Sequence, residues 1–250
     1  MTNYSEQFSR DLCIYLADKF DVWWDPIRFN WKASDYLCIY FFDRFDDWWD
    51  PEKFDWETSS HLLAQYLANR FDDWWDPNRF NWFWHSHALC QYMPNKFSAW
   101  WNAEKFNWNW NSDSLCRYLS HRFHDWWNPE KFNWEVSDQL CQYVPDKFKV
   151  WWTPEKFNWE WKSESLCQFL PHRFHEWWDP NMFGWEHNSW ALCKYLADKF
   201  DQWFDPFSPN WKFYKHKVKD YIPDKYDSYI DLEMVATSEF STFIKKHLEL

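Results

Sequence analysis

Seven cysteines and ten histidines are the residues of this chain whose types could bind a metal, and the cysteines could also form disulfides. Each cysteine stands seven residues before a phenylalanine that recurs along the chain, and Ala64 takes that place in one copy. A position that accepts alanine favours a small, buried packing site. Equivalent positions on packed helices lie one interhelix distance apart, which is too far for a disulfide. We therefore expect free thiols with a structural role at Cys13, Cys38, Cys90, Cys116, Cys141, Cys167 and Cys193.

Two histidine pairs share the sequence HRFH, and this spacing places both rings on one helix face, as a metal site could use. The pairs His121/His124 and His172/His175 lie two copies apart, at positions where other copies usually carry Asp, Asn or Lys. We expect these histidines to lie on the surface, and we expect neither a metal nor a cofactor.

Catalytic motifs are missing from the sequence, which has no Gly-x-Ser-x-Gly, phosphate-binding loop, dinucleotide fingerprint or His-Glu-x-x-His. An enzyme would need a pocket built from copy-specific residues such as His85, His87 and His187, and no spacing requires one. The sequence therefore predicts a protein that is not an enzyme.

The charge balance narrows the classes of partner, since 39 Asp and Glu outnumber 27 Lys and Arg to give a net charge of −12. Such acidity argues against direct binding to a nucleic acid. No apolar run approaches the length of a membrane span, and the polar start lacks the pattern of a signal peptide. With an odd number of cysteines, these features predict a cytoplasmic protein that does not bind membranes.

The elements that must position these residues come from an internal repeat of 25 or 26 residues. Each copy carries an aromatic doublet three residues after the recurring phenylalanine, which we call the register Phe. The doublets are Trp23-Trp24, Trp48-Trp49, Trp74-Trp75, Trp100-Trp101, Trp126-Trp127, Trp151-Trp152, Trp177-Trp178 and Trp203-Phe204.

One copy is expected to build a longer amphipathic helix and a single-turn helix. A serine eleven residues before each register Phe is predicted to cap the longer helix, and a proline three residues before it in some copies predicts a kink or a break. Asp or Asn followed by Pro then caps a one-turn α or 3₁₀ helix. Residues that tolerate positive φ are predicted to close that helix in a left-handed turn. They include Asn30, Asn81, Asn107, Asn133, Asn158 and Gly184.

Such a unit cannot bury its aromatic face alone, and stacked copies bury it continuously. We therefore predict an all-α solenoid of eight copies over residues 9–211, after a lead-in at 1–8. A degenerate ninth copy follows at 212–231, and a helical tail at 232–250 caps the stack. The period and the helix pattern resemble those of short α/3₁₀ solenoids such as the leucine-rich variant repeat, with Trp and Phe at most of the Leu positions.

A basic residue precedes every register Phe, and a ladder of cations could bind phosphate or an acidic peptide. Each cation also lies four residues before the first Trp of its doublet, which predicts a cation–π contact with the indole one turn on. We favour this structural role for Arg44, Arg70, Arg122 and Arg173.

Three tryptophans, Trp84, Trp110 and Trp161, stand thirteen residues after a register Phe, outside the helical stripe. They either pack over the start of the following helix or line a recognition surface. We predict a scaffold that binds a protein or peptide partner along one face of the solenoid. A module for a carbohydrate or an aromatic small ligand is the first alternative, and an acidic decoy for nucleic-acid-binding proteins is the second.

Overall fold

The computed structural model describes residues 3–205, 208 and 210–226, and these residues form helices and turns without a strand. The predicted all-α repeat architecture is confirmed. One long helix per copy packs beside the long helix of the next copy within each of two compact units, residues 1–132 and 133–250. The long helices of the first unit are α1 Glu6–Tyr15, α2 Ser34–Tyr40, α3 Trp56–Tyr66, α4 Trp82–Tyr92 and α5 Trp108–Leu119. Those of the second unit are α6 Asp138–Tyr143, α7 Trp159–Phe169, α8 Trp185–Tyr195 and α9 Trp211–Tyr221.

Each long helix of the eight copies breaks where the sequence predicts it. A 3₁₀ turn follows the break, and prolines such as Pro94 occupy its first position, where no helical amide is lost. The 3₁₀ turns are Ala17–Lys19, Phe42–Arg44, Ala68–Arg70, Pro94–Lys96, Ser120–Arg122, Pro145–Lys147, Pro171–Arg173 and Ala197–Lys199. Four-residue helices then begin at the register Phe: Phe20–Trp23, Phe45–Trp48, Phe71–Trp74, Phe97–Trp100, Phe123–Trp126, Phe148–Trp151, Phe174–Trp177 and Phe200–Trp203.

The first tryptophan of each doublet forms a hydrogen bond at the break in its long helix. Trp100 Nε1 donates a hydrogen bond of 2.8 Å to the carbonyl of Met93, the residue at which the long helix has ended. The same bond, at 2.8 or 2.9 Å, forms in all eight copies. The Met93 carbonyl also accepts from Lys96 N at 3.0 Å in the 3₁₀ turn, so the indole supplies its second hydrogen bond and links the two helices on either side of the break.

The two repeat lengths correspond to two conformations of the first helical turn. In copies with a 26-residue spacing, the helix begins with an α turn at the Trp eleven residues after the register Phe, as at Trp82. In the two 25-residue spacings, this turn is instead the 3₁₀ turn Trp31–Ala33 or Trp134–Val136. A 3₁₀ turn holds about three residues and an α turn about 3.6. One missing residue is therefore absorbed by tightening a single turn.

The predicted left-handed turns at Asn30, Asn81, Asn107, Asn133, Asn158 and Gly184 are wrong, because their φ angles lie between −75° and −85°. These residues precede the next long helix, and we call their place the cap position. Asn81 illustrates the role: its side-chain oxygen accepts from Trp84 N at 3.2 Å, and its Nδ2 donates to the Glu57 carbonyl on the preceding helix at 2.7 Å. Asn satisfies an N-terminal amide in this way without adopting positive φ.

Gly184 is needed for space. A Cβ there would lie 2.4 Å from the Trp159 carbonyl oxygen and 2.6 Å from that of Glu160. Asn188, one turn further on, donates its Nδ2 to the Glu160 carbonyl at 2.6 Å. It thereby replaces the bond that asparagine makes at the cap position of other copies.

The recurring serines are buried and do not cap the long helices through their side chains. Ser163 donates its hydroxyl to the Trp159 carbonyl one turn back and accepts from Gly184 N on the following copy at 3.2 Å. The same acceptance, at 2.9–3.3 Å, links five further pairs of copies within the two units. Each of these six serines therefore ties its helix to the next. Helices with an α first turn begin before their serine, as α3 does at Trp56, whereas α2 begins at Ser34 and α6 at Asp138, directly after Ser137.

Helix α9 lies in the segment predicted as the degenerate ninth copy, of which residues 227–231 are outside the described residues. Tyr214 and Val218 are buried in the core, and the Tyr214 hydroxyl donates to the Asp205 carbonyl at 3.0 Å. Residues 223–226 are helical, and Lys225 lies over the Phe200 ring at 5.5 Å, as the basic residues of other copies do with their preceding register Phe. The predicted helical tail at 232–250 lies outside the described residues.

Candidate binding surface

The thiols and the paired histidines lie where the sequence predicts. All seven cysteines are free and buried, and burial raises the pKa of Cys13, Cys141 and Cys193 to about 12. His121, His124, His172 and His175 are exposed. Over the part of the chain that the structure describes, no group of three or more His, Cys, Asp or Glu is placed to hold a metal ion.

The cations before the register Phe make cation–π contacts, but with a different ring from the one predicted. Arg44 lies 4.6 Å from the centroid of Phe20, the register Phe of the preceding copy, and it pairs with Asp21 beside that ring. Arg70, Arg122 and Arg173 lie over Phe45, Phe97 and Phe148 at 5.0, 5.1 and 5.3 Å. These cations therefore stabilise the contact between neighbouring copies through cation–π contacts, and they are not directed at an exposed ligand site.

An exposed aromatic cluster lies at the first turns of two neighbouring helices in the first unit. Trp84 on α4 and Trp110 on α5 are 58% and 68% exposed, and their ring centroids are 6.4 Å apart. Phe83 is 54% exposed and meets Trp84 edge-on at 4.7 Å. We call Phe83, Trp84 and Trp110 the rim cluster. Packing over the start of the next helix does not account for rings with more than half of their surface exposed.

Trp161 occupies the equivalent place on α7 in the second unit and is 57% exposed. Its ring stacks on His187 of the next copy with centroids 4.1 Å apart and an interplanar angle of 20°. Trp161 also lines a cleft of about 260 Å³ with Asp138, Lys162 and Gln168. Lys162 pairs with Asp138 at 3.1 Å inside this cleft, so the aromatic plane stands beside polar and charged groups.

A larger cleft, of about 790 Å³, lies on α1, α2 and α3 in the first unit. Three of its lining residues, Arg10, Asp35 and His61, stand ten residues before successive register Phe residues. Sequence analysis missed this position. The sequence feature that could have revealed it is the variability of this position between copies. A core position keeps one residue type in most copies, whereas this position changes from Arg to Asp, His, Glu and Trp along the chain. We call it the ladder position and the cleft the ladder cleft.

A histidine group extends from the ladder cleft toward α4. A hydrogen bond of 2.8 Å joins His85 Nδ1 to the Ser60 hydroxyl, and the centroid of the His85 ring lies 4.5 Å from that of His61. Burial, followed by the charges of His61 and His87, lowers the pKa of His85 to about 4. The imidazole is therefore neutral at pH 7, in keeping with its role as a hydrogen-bonded packing residue. His187, by contrast, is exposed in the second unit.

The described helices include none with the length and apolar character to cross a membrane. The chain matches no family model, no curated protein and no solved structure.

Proposed function

We propose that this chain is a non-enzymatic repeat scaffold that binds a protein or peptide partner through the exposed first turns of its long helices. The observation that supports the proposal is the rim cluster. Three aromatic side chains expose more than half of their surface, and the middle ring, Trp84, contacts each of the other two, although the repeat offers the core as an alternative place for aromatic rings.

Energetics favour a macromolecular partner for the rim cluster. Removing apolar surface from water contributes about 25 cal/mol per Å², and tryptophan is the side chain most enriched among residues that dominate binding at protein interfaces. The chain carries a net charge of −12. A partner segment that combines apolar residues with Lys or Arg would complement both features. The seven free thiols support a reducing compartment, and we propose the cytoplasm.

Site-directed photo-crosslinking tests the proposal in cells. A benzoylphenylalanine at Phe83 is expected to form discrete adducts with a protein, and these adducts should disappear when Trp84→Ala and Trp110→Ala are added. Phe42 is 51% exposed on a 3₁₀ turn away from the rim cluster and provides the matched control site. Adducts of equal abundance and identity from Phe42, or none from Phe83, would count against the proposal.

A second candidate, a carbohydrate or an aromatic small ligand, rests on Trp161. Its ring faces the polar 260 Å³ cleft that contains Asp138, Lys162 and Gln168, and sugars bind to an aromatic plane flanked by hydrogen-bonding groups. Titration of the protein with a panel of glycans and nucleotides, followed by tryptophan fluorescence, tests this function. Quenching that persists in Trp161→Ala would exclude this site as its source.

A further inference from the structure

In three copies of the first unit, a cation eight residues after the register Phe bridges to the preceding copy. We call this place the bridging position. The cation donates to a main-chain carbonyl of the preceding copy and to the side chain that follows this carbonyl. Lys105 shows the contact, since its Nζ lies 2.8 Å from both the Pro77 carbonyl oxygen and Asn78 Oδ1. The other two examples are Lys131 on Ala103 and Glu104, and Arg79 on Pro51 and Glu52.

The seventh copy has no cation at the bridging position. Its residue there is Met182, which has no donor, whereas the six copies before it carry Arg or Lys. The corresponding carbonyl and following side chain are those of Pro154 and Glu155. The Pro154 carbonyl accepts one bond, from Trp159 Nε1 at 2.7 Å, and the exposed Glu155 carboxylate has no hydrogen bond or ion pair within the described part of the chain. The acceptors of a bridging cation are therefore present without the cation.

The side chain after the carbonyl affects whether a cation bridges. In the first copy this side chain is Ile27, which has no acceptor, and Lys53 of the second copy pairs with Asp50 of its own copy at 3.1 Å. A carbonyl followed by an acceptor side chain holds the cation in the three bridged pairs. Pro154 and Glu155 keep that combination.

A cleft of about 400 Å³ lies beside Met182 in the second unit. Trp159 lines this cleft, and its Nε1 bonds to the Pro154 carbonyl, so the carbonyl lies at the edge of the cleft. In the first unit, Lys53 Nζ lies 5.8 Å from the ring centroid of Trp31, the tryptophan equivalent to Trp159. A cationic side chain thus fits over this indole where the repeat supplies one.

The lining of this cleft favours a cation with an apolar stem. Glu160 and Glu186 line it and are exposed, and the described lining includes no Lys or Arg. Met182 is 38% exposed, and its unbranched thioether adapts to the shape of an alkyl chain. Lysine and arginine combine an alkyl stem with a cationic end, which matches the apolar and the acidic parts of the lining.

We propose that this cleft, together with the Pro154 carbonyl and Glu155, binds a lysine or arginine side chain of a protein or peptide partner. The cationic group donates to the carbonyl and pairs with the carboxylate, as Lys131 does within the chain. Its stem packs on Met182 and Trp159. This inference rests on the proposed function and adds a contact in the second unit that selects a basic residue of the partner.

Methyl NMR of the full-length protein, labelled with carbon-13 at its methionine methyl groups, tests the inference, because the chain has only four methionines. The tripeptide N-acetyl-Ala-Lys-Ala-amide and its arginine counterpart are expected to shift the Met182 resonance in a saturable way, while the buried Met93 stays unchanged. The norleucine counterpart keeps the alkyl stem without the charge and is expected to bind at least roughly fivefold more weakly.

Four variants locate the binding, which saturation-transfer NMR measures on the lysine tripeptide itself. Met182→Lys supplies the missing cation and should abolish binding and raise the urea midpoint, whereas Met182→Leu should retain binding. Glu155→Gln should weaken binding roughly two- to fivefold. Glu104→Gln is the matched control, since Glu104 already pairs with Lys131, and it should leave binding unchanged.

Equal affinity of the norleucine tripeptide would overturn recognition of a cation, and equal affinity of butylamine would overturn a peptide partner in favour of a free amine. Binding that survives Met182→Lys, that is lost equally in Met182→Leu, or that falls equally in Glu155→Gln and Glu104→Gln would overturn this cleft as the site. An unshifted Met182 resonance at millimolar tripeptide would overturn the inference alone, because crosslinking from Phe83 tests the proposed function separately.

Discussion

The indole hydrogen bond at each helix break predicts that the two tryptophans of a doublet contribute unequally to the free energy of unfolding. Trp100 is 1% exposed and bonds to the Met93 carbonyl at 2.8 Å. Trp101 is half-buried and stacks on Phe97 at 5.1 Å. A phenylalanine in place of either tryptophan can still pack against the neighbouring rings, but it cannot donate the indole hydrogen bond. The sequence already contains this replacement at the second position, where Phe204 stacks on Phe200 at 4.4 Å. The first position is tryptophan in all eight copies.

The expected cost of Trp100→Phe has two parts. Losing the indole bond costs about 0.5–1.5 kcal/mol, because the Met93 carbonyl keeps its bond from Lys96 N. The smaller ring forfeits roughly 40 Å² of buried apolar area, worth about 1 kcal/mol. Trp101→Phe loses only the second part. We therefore expect Trp100→Phe to lower the free energy of unfolding by about 1.5–2.5 kcal/mol and Trp101→Phe by about 1 kcal/mol.

Urea unfolding followed by far-ultraviolet circular dichroism measures both variants against the natural chain and avoids relying on tryptophan fluorescence, which the substitutions change. Equal losses of stability for Trp100→Phe and Trp101→Phe would refute the reasoning, because the indole bond would then contribute nothing beyond area.

Three further predictions concern other contacts of the repeat. The seven cysteines should react with a thiol reagent only in denaturant, since burial raises the pKa of thiols such as Cys13 to about 12; rapid labelling of the folded protein would contradict this. His85 has a folded pKa of about 4, below its unfolded value of 6.5, so the unfolded chain takes up the proton first and stability falls as the pH drops from 6.5 to 4. Between pH 6.5 and 5, the natural chain should lose about 1 kcal/mol relative to His85→Gln in paired urea titrations, since solvent screening at the partly exposed ring reduces the effect of the shift; a constant difference would refute this. Arg70→Met should lower the urea midpoint in low salt, because it removes the pairs with Asp46 and Asp73, and the deficit should shrink in 1 M NaCl through screening. A deficit that is independent of salt would assign the effect to packing on Phe45 alone.

The sequence predicts the periodic features well, because they repeat. The doublets, the buried thiols and the break at residues such as Pro94 all follow from residue types at fixed spacings. Asn81 is harder, because asparagine suits both a left-handed turn and a helix N-cap, and only the backbone distinguishes the two. The partner of Arg44 is harder still. Local spacing points to the indole four residues on, whereas the structure brings Phe20, 24 residues back, beneath the guanidinium.

The candidate sites also differ in how far the sequence alone reveals them. Trp84 and Trp110 stand out in the sequence because they lie outside the helical stripe, although their exposure is known only from the structure. The ladder cleft has no local signature. Arg10, Asp35 and His61 are 25 or 26 residues apart and of unlike type, so their convergence depends on the stacking of three helices.

The tightened first turn has a consequence for how such an array diversifies. In the 26-residue spacings, the residue thirteen after the register Phe is exposed, as at Thr58, Trp84 and His187, whereas in the shorter spacings Ala33 is buried and Val136 half-buried. Deleting or inserting one codon at this turn would thus withdraw or present a side chain on the outer edge of a single module while the rest of the scaffold keeps its register. A one-residue change of length, which would shift the register inside a longer helix, is therefore accommodated at this turn and changes only the outer edge of its own copy.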